Sequence, residues 1–111
     1  MHHEDDEAWY VLDGELLFQV AGEDLQVPTG AFIWAPRGLP HTFRVESDGA
    51  RLLAITTPGG FEEFFMATGQ PAPSRTLPPP PDGAPDIAAM AAAAHRYGCD
   101  IIGPPLPPRG M

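Results

Sequence analysis

Three residues, His2, Glu7 and His41, carry the donor atoms of a first-row metal site. Neutral imidazole and carboxylate suit iron, manganese, nickel, zinc or copper, and two His with one carboxylate leave coordination positions open for other ligands. Glu7 has a second use. A carboxylate in such a site can swing off the metal and act as a base, because burial and neighbouring charge shift its pKa. Taken singly, each residue has a plainer reading. An N-terminal His is usually solvated, a Glu at a strand start is usually an exposed charge, and a His after Leu39-Pro40 is more often a turn residue than a ligand. Chemistry follows only if the fold brings the three together.

The elements that must do so lie in the first half of the chain. Glu7–Asp13 is rich in Trp, Tyr and Val and ends at Asp13-Gly14, a dipeptide suited to a tight hairpin. Glu15–Ala21 alternates Leu16, Phe18 and Val20 against Leu17 and Gln19, the period of a half-buried strand. Ala21-Gly22-Glu23-Asp24 reads as a turn, and Leu25–Val27 as a short edge strand ended by Pro28. Ala31–Ala35, His41–Glu46 and Ala50–Thr57 complete the set, separated by Pro36-Arg37-Gly38 and Ser47-Asp48-Gly49. Short strands with Gly/Pro turns between them predict a sandwich or small barrel. Glu7 and His41 each begin a strand, so a barrel can turn both inward. Trp9, Phe18, Phe43 and Met66 are candidate walls of a substrate pocket, with core packing the plainer role for each.

Beyond residue 58 the pattern changes. Phe61, Phe64 and Phe65 fall at helical spacing within Gly60–Gly69, predicting a short helix that lays its Phe stripe on the barrel. Seven prolines between Pro71 and Pro85 forbid regular structure, and Pro78–Pro81 is expected as extended polyproline. Asp86 is placed to cap a helix over Ile87–Tyr97, with Ile87, Met90, Ala91 and Ala94 on one face. That helix can dock on its own barrel or on a neighbouring chain. The organisation read here is a barrel over 1–58, a packed helix over 59–70, a linker over 71–85, and a helix with a Pro-rich tail over 86–111.

The formal net charge of -9 opposes nucleic acid and anionic membrane surfaces as partners. No apolar run is long enough for a membrane helix, and the N-terminus lacks a signal-peptide layout. Cys99 is the single cysteine, which excludes a disulfide within one chain, fits a reducing cytoplasm and reads as structural. His3 should point to the strand face opposite His2. His95, near the end of the late helix, suits the helix dipole.

Two spacings connect the candidate ligands. His2 is followed after four residues by Glu7, and Glu7 after six by Gly14; Gly30 is followed after five by Pro36, then by Gly38, and after two more by His41. These resemble the two motifs of the cupin superfamily, G-x5-H-x-H-x3–4-E-x6-G and G-x5-P-x-G-x2-H-x3-N, over about residues 2–57. Val45 stands where the second motif often has Asn. The first motif's leading His would fall ahead of Met1, so the chain is expected to begin inside that motif, with preceding strands missing.

The resemblance implies a mainly β fold, an antiparallel jelly-roll barrel of the double-stranded β-helix type. It implies a divalent transition metal held by His2, Glu7 and His41, with Glu7 as the catalytic candidate. The Phe-rich segment after the barrel is similar to single-domain bacterial cupins described as quercetin-dioxygenase-like. The first expectation is therefore a metal-dependent oxygenase acting on a small organic substrate, aromatic ones included. The second is a non-catalytic small-molecule-binding module with structural metal or none. The third is a defective fragment. A homodimer formed through unpaired edge strands is also expected.

Overall fold

The computed structural model describes residues 1–80 and 83–108. Six strands run in chain order: β1 (Asp6–Asp13), β2 (Glu15–Val20), β3 (Glu23–Pro28), β4 (Phe32–Ala35), β5 (His41–Val45) and β6 (Arg51–Thr57). Two helices follow, α1 (Glu62–Thr68) and α2 (Ile87–Arg96). The strands form two antiparallel three-stranded sheets, ordered β4-β1-β6 and β3-β2-β5. The mainly β, jelly-roll-like architecture expected from the sequence is present.

The strand pattern explains the layering. Trp9 and Val11 of β1, Leu16 and Phe18 of β2, Val27 of β3, and Ile33 and Ala35 of β4 form one buried cluster drawn from both sheets. Alternation along each strand aims these residues at the space between the sheets. Phe18, Leu16 and Val11 are its largest fully buried side chains.

Two turns differ from expectation. Asp13-Gly14 does not close a hairpin, because β1 pairs with β4 and β6 whereas β2 pairs with β3 and β5. It carries the chain from one sheet to the other. Gly14 has φ +103°, and a Cβ there would stand 2.6 Å from the Gly49 carbonyl oxygen, so glycine answers both conformation and space. The β2–β3 hairpin is tighter than expected. Ala21 and Gly22 both have positive φ, as a two-residue type I′ loop requires, and the ladder resumes at Glu23. Strand β3 is correspondingly longer than the Leu25–Val27 expected.

The helices also pack differently from expectation. Helix α1 buries none of its residues, and Phe65 is exposed. Phe61, just before the helix, reaches the barrel, while Phe64 meets Tyr97 after α2 with centroids 6.4 Å apart. The stripe is thus divided between the barrel and α2. Asp86 caps α2 as expected, its carboxylate accepting from the Ala89 amide at 2.9 Å. The buried face of α2 is Ala93 and Ala94, whereas Ile87 and Met90 are exposed. Small side chains allow the close approach there. Residues 71–80 form no helix or strand, and the polyproline stretch expected over Pro78–Pro81 ends outside the described residues.

Candidate metal centre

Glu7, second residue of β1, shares the inward parity of Trp9 and Val11. His41 opens β5 opposite Val20 of β2. Two contacts tie the loop before His41 to the N-terminal segment. The Asp6 carboxylate accepts from the Arg37 backbone N–H at 2.8 Å and from Arg37 Nε at 3.1 Å. The Gly38 amide donates to the His2 carbonyl at 2.7 Å. All three candidate ligands therefore share one local frame.

His2 lies near a chain end, where fraying is the default. Here it is pinned by a β-bridge to Cys99. Around that bridge, the His3 amide donates to the Gly98 carbonyl at 2.7 Å and the Asp100 amide to the Met1 carbonyl at 2.9 Å. His3 points away from His2, as expected, and its Nε2 lies 2.6 Å from Asp100 Oδ2. The other Asp100 oxygen lies 2.7 Å from His95 Nδ1. Two imidazoles thus grip one carboxylate and fasten the C-terminal segment to the N-terminus.

The three ligand groups converge. His2 Nε2 is 2.7 Å, and His41 Nε2 3.3 Å, from Glu7 Oε2. One donor atom from each residue lies within 4.8 Å of the others. Three donors at right angles around one ion, each ~2.1 Å from it, stand about 3 Å apart, close to the two separations from Glu7. The opposite ring nitrogens each face an oxygen atom. His2 Nδ1 lies 3.0 Å from Asp5 Oδ2, and His41 Nδ1 lies 3.3 Å from the Leu39 carbonyl, where it can donate. A proton at His41 Nδ1 leaves the His41 Nε2 lone pair facing Glu7, whereas His2 Nδ1 and Asp5 Oδ2, though close, are not aligned in a hydrogen bond.

Electrostatics follow from this closeness. Burial favours protonated Glu7, but hydrogen bonds from His2 and His41 outweigh it and hold the carboxyl down at about 2. Burial opposes the charged form of His2, yet hydrogen bonding to Cys99 and Glu7 raises it to about 10. Without metal, the group rests as a carboxylate between two imidazoles.

The surroundings are partly those expected. Trp9 meets His41 edge-on with centroids 5.4 Å apart, and Phe43 lies 6.1 Å from Trp9. Phe18 is fully buried against both rings. Met66 stands on α1 and is 78 % exposed. Sequence reasoning missed Asp5, which is 5 % exposed, and Phe61, whose ring packs edge-on to His2 at 4.5 Å. The signal for Asp5 was its place between two candidate ligands. It also missed the wall supplied by the C-terminal segment. A cavity of about 660 Å³ beside His2 and His41 is bounded by Thr42, Cys99, Ile101 and Ile102.

The family model described as Cupin domain matches residues 1–56. Quercetin 2,3-dioxygenase of Bacillus subtilis (strain 168) is 29% identical over 77 residues, which are 69% of this chain and 23% of that protein. An uncharacterized protein of Streptomyces coelicolor, SCO3923, is 32% identical over 56 residues, 50% of this chain and 53% of that one. The chain thus spans about a quarter and about half of these two relatives. The crystal structure of TT1209 from Thermus thermophilus is similar over 52% of this chain and 56% of that one, with 37% identity and a TM-score of 0.49. Among the described residues, no helix is long and apolar enough to cross a membrane.

Proposed function

The chain belongs to the cupin family, and from that premise we propose that His2, Glu7 and His41 hold a divalent transition metal at which a small organic substrate is oxidised. The observation that carries this reading is the convergence of both Nε2 atoms on one Glu7 oxygen, with His41 Nδ1 able to donate to the Leu39 carbonyl. The similarity to a quercetin 2,3-dioxygenase supports a dioxygenase-like reaction and a substrate with an aromatic ring.

A bound metal would supply Lewis acidity, redox capacity and open positions for substrate and dioxygen. The chain's own groups do the rest. Asp5 sets a buried carboxyl oxygen 3.0 Å from the Nδ1 side of His2. Trp9 and Phe61 keep water from the ring faces they cover. Glu7, whose Oε2 is the point of convergence, is also the group able to hold a substrate proton when it leaves the metal.

A second reading rests on the same carboxylate. Glu7 is satisfied by two imidazoles without any metal, which suits a non-catalytic module that uses the triad to recognise a small polar ligand. Metal content of the purified chain by mass spectrometry, with His41→Ala beside it, tests the metal site. About one metal per chain, lost in the variant, supports it; none after reloading with iron, manganese, nickel, zinc and copper in turn overturns it. Oxygen uptake by the loaded chain with flavonols and related aromatic substrates then separates enzyme from binding module.

A further inference from the structure

The chain turns sharply after α2. Gly98 has φ +78°, and a Cβ there would stand 3.0 Å from the Glu4 side chain, so glycine lets the segment beyond it return against the N-terminus. That segment is fastened at two places. At its start, Cys99 bridges His2, and Asp100 is gripped by His3 and His95. Farther on, Arg44 of β5 donates from Nη1 to the Pro107 carbonyl at 3.0 Å. Glu46 Oε1 holds Nε and Nη2 of the same guanidinium at 2.9 and 2.8 Å.

Between these fastenings, residues 101–105 border the cavity beside His2 and His41. Ile101 and Ile102 remain 49 % and 60 % exposed, which leaves apolar surface for a ligand to cover. Pro104 and Pro105 have a fixed φ and no N–H, so this stretch is stiff and its proline nitrogens need no hydrogen-bond partner. No Lys or Arg among the described residues lines the cavity, and its one carboxylate, Asp100, is already taken. The wall therefore has nothing to neutralise an anion, and it has surface suited to an uncharged ring. It lies beyond residues 1–56, the part that matches the family model.

We propose that residues 101–105 are the specificity wall of the centre, where Ile101 and Ile102 receive the uncharged aromatic ring of the substrate and hold it beside His2 and His41. This assignment rests on the reading of His2, Glu7 and His41 as a metal centre for small organic substrates. Because the wall is anchored on both sides and stiffened by proline, little further ordering is needed when the ring docks.

Titration of the zinc-loaded full chain with 3-hydroxyflavone, followed by flavonol fluorescence, tests it beside Ile101→Asp and Ile102→Asp. Both positions are solvated, so the variants are expected to fold. The expected result is saturable binding to the unaltered chain, about tenfold weaker or more in each variant, with zinc per chain unchanged. Affinity retained in either folded variant overturns the proposal, as does absence of binding by the unaltered chain. Loss of zinc together with flavonol in the variants also overturns it, since the segment would then support the metal rather than the ring. If the unaltered chain takes up no zinc, the metal reading falls, and the same three chains are compared without metal, where the same loss is expected. If either variant fails to fold, alkylation of Cys99 by iodoacetamide in the unaltered chain decides, because that thiol borders the same cavity. Saturating 3-hydroxyflavone should slow the alkylation severalfold, and an unchanged rate overturns the proposal.

Discussion

His2 Nδ1 and Asp5 Oδ2 face each other at 3.0 Å with both atoms sealed from solvent. A carboxylate costs a great deal to bury unless something answers its charge. The nearest candidate is the imidazole whose other nitrogen points at Glu7, so Asp5 and Glu7 flank the ring of His2 from opposite ends, although Asp5 Oδ2 and His2 Nδ1 are not aligned in a hydrogen bond.

Replacing Asp5 should therefore reach the metal without touching it. Asp5→Asn is expected to weaken zinc or cobalt binding about 10–100-fold, the usual loss on removing an outer partner of a ligating His. Isothermal titration gives the affinity, and the visible spectrum of the cobalt form should shift as His2 reorients. A merely structural Asp5 would lower the melting temperature of the metal-free chain and leave that spectrum alone.

Stability of the metal-free chain should pass through a maximum in mildly acidic solution. Glu7 is depressed from 4.5 to about 2, so its contribution is complete above pH 4.5 and is lost as pH falls toward 2. His2 is raised from 6.5 to about 10, so its contribution is complete below pH 6.5 and is lost as pH rises toward 10. Both are present between about pH 4.5 and 6.5. Thermal melts of chelator-treated protein from pH 3 to 10 check this. In the zinc-loaded chain the alkaline decline should disappear, because metal takes the place of the His2 proton.

Asp100 binds His3 and His95 through separate oxygens and so holds the strand-like pairing that carries His2. Asp100→Ala is expected to weaken metal binding by up to ~10-fold. Its effect on unfolding should be small, since the clasp is solvent-accessible. Metal titration beside a urea melt checks both parts. Equal affinity in the variant would mean that the backbone bridge alone fixes His2.

Phe18 separates core from site. Phe18→Ala should cost about 3–5 kcal/mol, because the side chain is fully buried between Trp9 and Phe43. Phe61→Ala should cost much less, with Phe61 only partly buried, while opening the ring of His2 to water. Urea unfolding of the two variants gives the comparison.

Much of this was legible in the sequence because the relevant rules are local. Alternation set the inward faces of β1 and β2, and Asp86 marked the start of α2. The spacings of His2, Glu7 and His41 pointed to their convergence through their resemblance to the two cupin motifs. What stayed hidden depends on sheet membership and distant partners. Asp13-Gly14 has hairpin chemistry, yet it joins two sheets because β1 finds β4 and β6 instead of β2. Burial of Asp5 brings it beside residues distant in sequence, Pro58, Phe61, Arg96 and Tyr97 among them, so its position between two candidate ligands was the one local signal. The α2 face was half placed: Ala91 and Ala94 turn inward as expected, whereas Ile87 and Met90 are exposed and Ala93 is buried, because a run of alanines offers little amphipathic signal.

The bonds between Met1 and Asp100 close a loop spanning 99 positions. A contact of that separation is among the last a chain can form, since its closure entropy must be offset by structure already gathered in between. The sheets, the β4–β5 loop and α2 have to be assembled before His2 acquires a fixed position. Glu7 and His41 would then be waiting as a two-point site that the N-terminus completes. On this order of events a metal would meet sheets that have already assembled, and the segment carrying His2 would complete its site.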